Sequence, residues 1–210
     1  IDRGELITEV GEESGEYERY KFTESGISPR ALPGIPGYEH VVASDEHMPS
    51  GVLISDEFTH PHKRRAMMEK RQQKMAGLLA ELPPPTIIGD PDAEVTLVGW
   101  GSTADVIQES IEQLAAAGVV ANHLHFKWIV PFHADEATEL LSSCKRTIIL
   151  ENNYTGLFHR YLRGETGFTV DGHIRKYDGE PFKPKHITAA VQDQLAGGDA
   201  ISVPYEEIIV

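Results

Sequence analysis

The segment Gly99-Trp100-Gly101-Ser102-Thr103 sets two glycines and two hydroxyls just ahead of a helical stretch. Backbone N–H groups in such a turn can surround an anion at a helix N-terminus. No Gly-Lys-Ser/Thr follows, so the segment is not a P-loop. Ala104 only loosely replaces the third glycine of the dinucleotide fingerprint. The preferred reading is a tight turn that lets Trp100 pack against a partner. Glu151-Asn152-Asn153 and Pro131-Phe132-His133 are two further loops of the same kind. Ser28-Pro29-Arg30 holds a guanidinium between Pro29 and Pro33, stiff enough for bidentate binding of a carboxylate or phosphate. An ion pair across a subunit boundary is the reading preferred for Arg30. Glu46-His47 has the residue types of an acid–base unit, though a loop salt bridge suits it better.

His60 with His62, and His123 with His125, are H-x-H pairs. On a strand, residues two apart share a face, so His123 and His125 could both ligate a metal. No Cys, Asp or Glu stands at ligand spacing, which favours polar surface or interface positions. No metal site is expected. Cys144 precedes Lys145 and Arg146, cations that lower a thiol pKa, but no nucleophile signature accompanies it. No residue is singled out as catalytic.

These residues need elements to hold them. From residue 94 the chain alternates short apolar runs with amphipathic stretches. Strands are expected over 95–98, 119–126, 147–150 and 173–175. Helices are expected over 104–117, 134–143, from 157 and over 184–195. This alternation implies an α/β fold with an open, mostly parallel sheet, right-handed connections and helices on both faces. Functional loops then lie at the carboxyl ends of the strands. Residues 59–82 read as one helix with Thr59 and Pro61 at its start, and Pro83-Pro84-Pro85 ends it. Residues 1–57 show no sustained period and four prolines, as an extended arm would. The expected division is an arm over 1–57, a helix and spacer over 58–85, an α/β domain over 86–196 and a tail over 197–210. The tail is expected to be loosely held, with Ile208-Ile209-Val210 able to pair with a neighbouring strand.

The chain holds 33 acids and 19 bases, a net charge of −14. The charge divides into −9 over residues 1–57, +4 over 58–81 and −9 beyond. Such a balance opposes non-specific nucleic-acid binding. No apolar run approaches the roughly 20 residues of a membrane span. A single cysteine excludes an internal disulfide and suggests a reducing cytoplasm. The opening Ile1-Asp2-Arg3-Gly4 is no secretory signal, and a start without methionine reads equally as an internal or processed segment of something longer or as a trimmed start.

Taken in order, the segments resemble one family. Residues 20–34, Tyr20 to Gly34 around Gly26-Ile27-Ser28-Pro29-Arg30, are similar to a segment of 2-oxoacid:ferredoxin oxidoreductase alpha subunits. Asp45-Glu46-His47, Lys70-Arg71-Gln72-Gln73-Lys74, Gly99 to Thr103, Pro131-Phe132, Glu151 to Leu157 and Lys176 to Phe182 follow at matching order and spacing. The set resembles the 2-oxoglutarate branch, from about residue 2 to 195. Met48-Pro49-Ser50, His133 and Leu157 depart from the family pattern.

The resemblance implies the C-terminal half of an alpha subunit, with a transketolase-C-terminal-like domain. The complete enzyme would oxidatively decarboxylate the oxoacid on thiamine diphosphate, pass electrons through iron–sulfur clusters to ferredoxin, and transfer the acyl group to coenzyme A. The pyrimidine-binding part of the alpha subunit matches nothing here. Magnesium, the diphosphate site and the cluster would belong to a beta subunit, since one cysteine cannot hold a [4Fe–4S] cluster. The implied chain is a mainly structural member of a cytoplasmic hetero-oligomer, with Ser28, Arg30, Glu46 and His47 at substrate or an interface. Gly99, Gly101, Ser102, Thr103, Glu151 and Asn152 would form an anion-binding turn or interface. The alternative is a stand-alone phosphate- or coenzyme A-binding module. An acidic chain is a poor dock for an acidic ferredoxin.

Overall fold

The computed structural model describes residues 6–10, 17–54, 60–199, 201 and 203. It divides into two compact units, Ile1–Glu81 and Leu82–Val210.

The first unit is an irregular arm laid on one helix. Strands β1 (Leu6–Ile7) and β2 (Arg30–Ala31) pair in parallel. Helix α1 spans Pro61–Glu81 and fully buries only Met67. Thr59, the expected cap, lies outside the described residues. The arm adheres through backbone contacts that periodicity cannot report. Gly26 has φ 76°, and a Cβ there would lie 2.8 Å from the Lys70 carbonyl oxygen, so only glycine lets the loop meet the helix backbone. Lys70 Nζ donates to the Gly26 carbonyl at 2.9 Å, and Gln73 donates to that of Glu24.

The second unit carries the sheet. Its strands are β3 (Ile87–Ile88), β4 (Val95–Trp100), β5 (Ala121–Phe126), β6 (Thr147–Glu151) and β7 (Gly172–Arg175), in the order β3-β5-β4-β6-β7. All pair in parallel except β3, which is antiparallel to β5. The helices are α2 (Ala104–Ala116), α3 (Ala134–Ser143), α4 (Leu157–Thr166) and α5 (Pro184–Leu195). The expected open, mostly parallel sheet is therefore present, with β3 as an addition.

Two apolar layers hold it. Val95, Leu97, Ile148, Leu150 and Ile174 meet Ile107 and Leu114 of α2 and Ile187 and Val191 of α5. Val98, Leu124, Phe126 and Ile149 meet Ala137 and Leu141 of α3 and Phe158 and Leu162 of α4. Strands buried on both faces read as near-continuous apolar runs, which is how β4 and β6 were visible.

Gly99 sits where α2 crosses β4. A Cβ there would lie 2.4 Å from Ile107 Cδ1 and 2.7 Å from Thr103 Oγ1. Gly99→Ala should cost about 1–3 kcal/mol by overpacking. A urea midpoint equal to that of the parent chain would show that α2 has room to shift.

The tail is not wholly loose. The Arg175 N–H donates to the Ile201 carbonyl at 2.8 Å, and the Val203 N–H donates to the Arg175 carbonyl at 2.9 Å. Val203 also packs against the α2–α5 layer. Ile208-Ile209-Val210 lies outside the described residues.

Candidate functional site

The chain leaves β4 for β5 on one side and reaches β6 on the other. The loops after β4 and β6 therefore diverge, and a crevice opens between them at the carboxyl ends of the strands. It has a volume of about 280 Å³ and is lined by Gly101, Ser102 and Thr103 from one loop and Asn152, Asn153 and Leu157 from the other. Trp100 forms one wall and packs on Phe158 with ring centroids 5.5 Å apart. The partner of Trp100 is thus within the chain. A second hollow of about 430 Å³ adjoins Ser102 and Asn152 and adds Lys176 and Tyr177.

Four of the expected residues, Gly101, Ser102, Thr103 and Asn152, therefore share one crevice. Two do not face it. Gly99 ends inside the sheet against α2. Glu151 is fully buried, and its carboxylate accepts from Phe158 N at 2.8 Å, His159 N at 3.0 Å and Asn153 Nδ2 at 2.8 Å. It caps α4 from within the fold. Asn153 Oδ1 takes the next two amides, Gly156 N at 2.7 Å and Leu157 N at 3.0 Å.

This wiring decides the electrostatics. A helix N-terminus attracts anions through its unsatisfied N–H groups. At α4 those groups already face a carboxylate and an amide oxygen. Lys176 is buried and paired with Asp178. Asp105 occupies the first turn of α2. The crevice offers backbone and amide hydrogen bonds, with little to hold a phosphate. Asn153, of the expected Glu151–Asn153 loop, lines the crevice, while Leu157, Lys176 and Tyr177 line these hollows without having been singled out as site residues. Their adjacency to Asn152 and their place in the matched segments were the available signals.

Behind the crevice, the rings of His159 and His173 lie edge to face at 4.5 Å. Burial, then the neighbouring His159, lowers His173 to about 4. Burial also lowers His159. Arg175 reaches from β7 to the Tyr154 carbonyl at 3.3 Å and so ties down the loop that carries Asn152 and Asn153.

The pair on β5 differs from the expected polar surface. His123 is 2% exposed, and its Nε2 lies 3.2 Å from His125 Nδ1. Burial, then the adjacent His125, lowers His123 to about 4. Among the described residues no group of three His, Cys, Asp or Glu is placed to hold a metal ion. Cys144 is half-buried, with Sγ directed at the Leu140 carbonyl at 3.2 Å. One half-buried cysteine cannot hold an iron–sulfur cluster.

The arm residues lie in the first unit. Glu46 receives Arg71 at 2.6 and 3.1 Å, and that guanidinium holds its carboxyl below the usual range. His47 instead stacks on Tyr20 at 3.8 Å. Glu46 and His47 thus have separate partners and do not form an acid–base couple. Ser28 Oγ donates to the Lys21 carbonyl at 3.0 Å. Arg30 is exposed on β2.

No protein-family model matches the chain. It is 32% identical over 95% of its length to subunit alpha of 2-oxoacid:ferredoxin oxidoreductase 2 from Aeropyrum pernix. It is 35% identical over 98% of its length to subunit alpha of oxidoreductase 1 from the same organism. It covers 30% and 32% of those proteins, and so spans about a third of the curated relatives. The solved 2-oxoglutarate:ferredoxin oxidoreductase from Magnetococcus marinus, with 2-oxoglutarate, coenzyme A and succinyl-CoA bound, is similar over 89% of this chain and 32% of its own. That match has a TM-score of 0.71 and 28% identity. Among the described residues no helix is long and apolar enough to cross a membrane. The chain belongs to the family of 2-oxoacid:ferredoxin oxidoreductase alpha subunits.

Proposed function

We propose that this chain is the C-terminal portion of the alpha subunit of a cytoplasmic 2-oxoacid:ferredoxin oxidoreductase acting on 2-oxoglutarate. The observation that carries the reading is the structural likeness to the Magnetococcus marinus enzyme over nearly the whole chain. In the complete assembly, thiamine diphosphate would supply the carbanion chemistry of decarboxylation. That cofactor, its magnesium and the iron–sulfur cluster would sit on other segments or on a beta subunit. Electrons would go to ferredoxin and the acyl group to coenzyme A.

The part played by these residues is mainly structural. The first unit would carry subunit contacts, with Arg30 and Ser28 facing a partner or the oxoacid. The exposed apolar residues Phe22, Ile27, Val41 and Val42 of the arm support an interface role. The purified chain should show no 2-oxoglutarate-dependent dye reduction with thiamine diphosphate and coenzyme A. Turnover by the chain alone would overturn the reading.

Arg30→Ala gives a finer test in the complete enzyme. Arg30 is exposed, so the melting temperature of the chain should stay within about 1 °C. Assembly or oxoacid affinity should weaken about tenfold, the loss of a bidentate charged contact. Unchanged kinetics together with unchanged assembly would remove Arg30 from the site.

The second reading, a stand-alone phosphate- or coenzyme A-binding module, rests on the crevice between β4 and β6. The internal capping by Glu151 and Asn153 weighs against its phosphate form.

A further inference from the structure

A separate cleft of about 290 Å³ opens at the other end of β5 from Ala121. One wall is Pro83-Pro84-Pro85, continuing to Ile88 on the edge strand β3. The opposite wall is the segment after β5, with Phe126, Trp128 and Phe132. Phe132 stacks on Phe126 at 5.5 Å and meets Tyr161 edge-on at 5.4 Å, so this wall is fixed by packing. His133 Nε2 lies 2.9 Å from the Leu82 carbonyl and links the two walls.

Two properties set the cleft apart. Trp128 is 45% exposed and Ile88 48%, an unusual outlay of apolar surface at a concave place. None of the lining residues is acidic, although residues 82–210 carry twice as many acids as bases. Lys127 lines the cleft, and among the described residues no carboxylate pairs with it. Burial, then the charge of Lys127, lowers His125 beside it, against the opposing pull of Asp105. The volume equals roughly ten waters at ~30 Å³ each, room for about ten non-hydrogen atoms.

We propose that this cleft binds a small aromatic carboxylate, its ring against Trp128 and Phe132 and its charge on Lys127. Aromatic walls favour a planar apolar ring, and a few convergent polar groups orient it. The acid-free lining and the unpaired ammonium select a negative charge over a neutral or positive one. This site is independent of the β4–β6 crevice and of the reading of the chain as an oxidoreductase segment.

Ligand-observed saturation-transfer NMR on the whole 210-residue chain tests it, with phenylacetate as probe and phenylacetamide as its uncharged match. Phenylacetate should bind about tenfold more tightly than phenylacetamide. Lys127→Met should remove that preference and leave phenylacetamide binding as it was. The chain has two tryptophans, so its spectrum has two indole N–H signals, and that of Trp128 should shift while that of Trp100 stays. The proposal fails if phenylacetate receives no saturation, if both probes bind equally to the parent chain, if Lys127→Met changes nothing, or if the Trp100 signal is the one that moves.

Discussion

Glu151→Ala should lower the melting temperature of the α/β unit by roughly 8–16 °C. The side chain is fully buried and accepts three hydrogen bonds, two of them from amides in the first turn of α4. Alanine would leave the buried Phe158 amide and the half-buried His159 and Asn153 donors without this partner. Each orphaned buried group costs about 1–3 kcal/mol, and some of that is recovered by relaxation or an entering water. A net loss of about 4 kcal/mol follows. At about 2–4 °C per kcal/mol for a chain of this size, this gives the stated range. Glu151→Gln keeps one oxygen and should fall between parent and alanine. Thermal unfolding followed by circular dichroism reads both. An alanine variant melting within about 2 °C of the parent would show that α4 does not depend on this cap.

The second large effect is with pH. Between pH 6.5 and 4 the α/β unit should lose about 3 kcal/mol through His123 alone. Its imidazole takes a proton near 6.5 when unfolded, but in the fold burial holds protonation off until about 4. Within that window the unfolded chain binds more protons, so stability falls as pH falls. Above the window neither state is charged, and below it both are. His173, also lowered to about 4, acts in the same direction, though its partial exposure weakens it. His125 and His159 are lowered too. Glu46 is held down by Arg71, so its share is lost only below the ordinary carboxyl value of 4.5, and it belongs to the first unit. Urea midpoints at pH 7, 5.5 and 4 would trace the slope, and His123→Gln should flatten it. An equal slope in that variant would reassign the effect to the remaining histidines.

The parallel core was legible because its strands are apolar along their length. Val95 to Val98 and Thr147 to Leu150 announce burial on both faces, and the helices between them carry apolar stripes. Strand β3 was not legible. Two isoleucines after three prolines form no pattern, and their pairing with Leu124 and His123 depends on residues more than 30 positions away. His123 misled for a related reason. A polar residue on a strand reads as surface, yet here His125 offers it a partner and α2 covers it. The crevice could be placed from the carboxyl ends of β4 and β6, and Gly101, Ser102, Thr103 and Asn152 do line it. Glu151 could not be assigned, because sequence does not say whether a carboxylate at a strand end turns outward or back onto the next helix. The pairing of Glu46 with Arg71 was hidden similarly by a separation of 25 positions.

The contact of Ile201 and Val203 with Arg175 has a consequence for biogenesis. During synthesis β7 emerges before the residues that cover its outer edge, and α5 must emerge between them. Until residue 203 has been made, that edge presents unpaired amides and carbonyls beside an unfilled seat in the α2–α5 layer. Edges of this kind recruit strands from neighbouring chains. Nascent chains on crowded ribosomes would therefore be most prone to mutual association in the interval between these two segments, and a frameshift within it would yield an aggregating product rather than a merely shortened one.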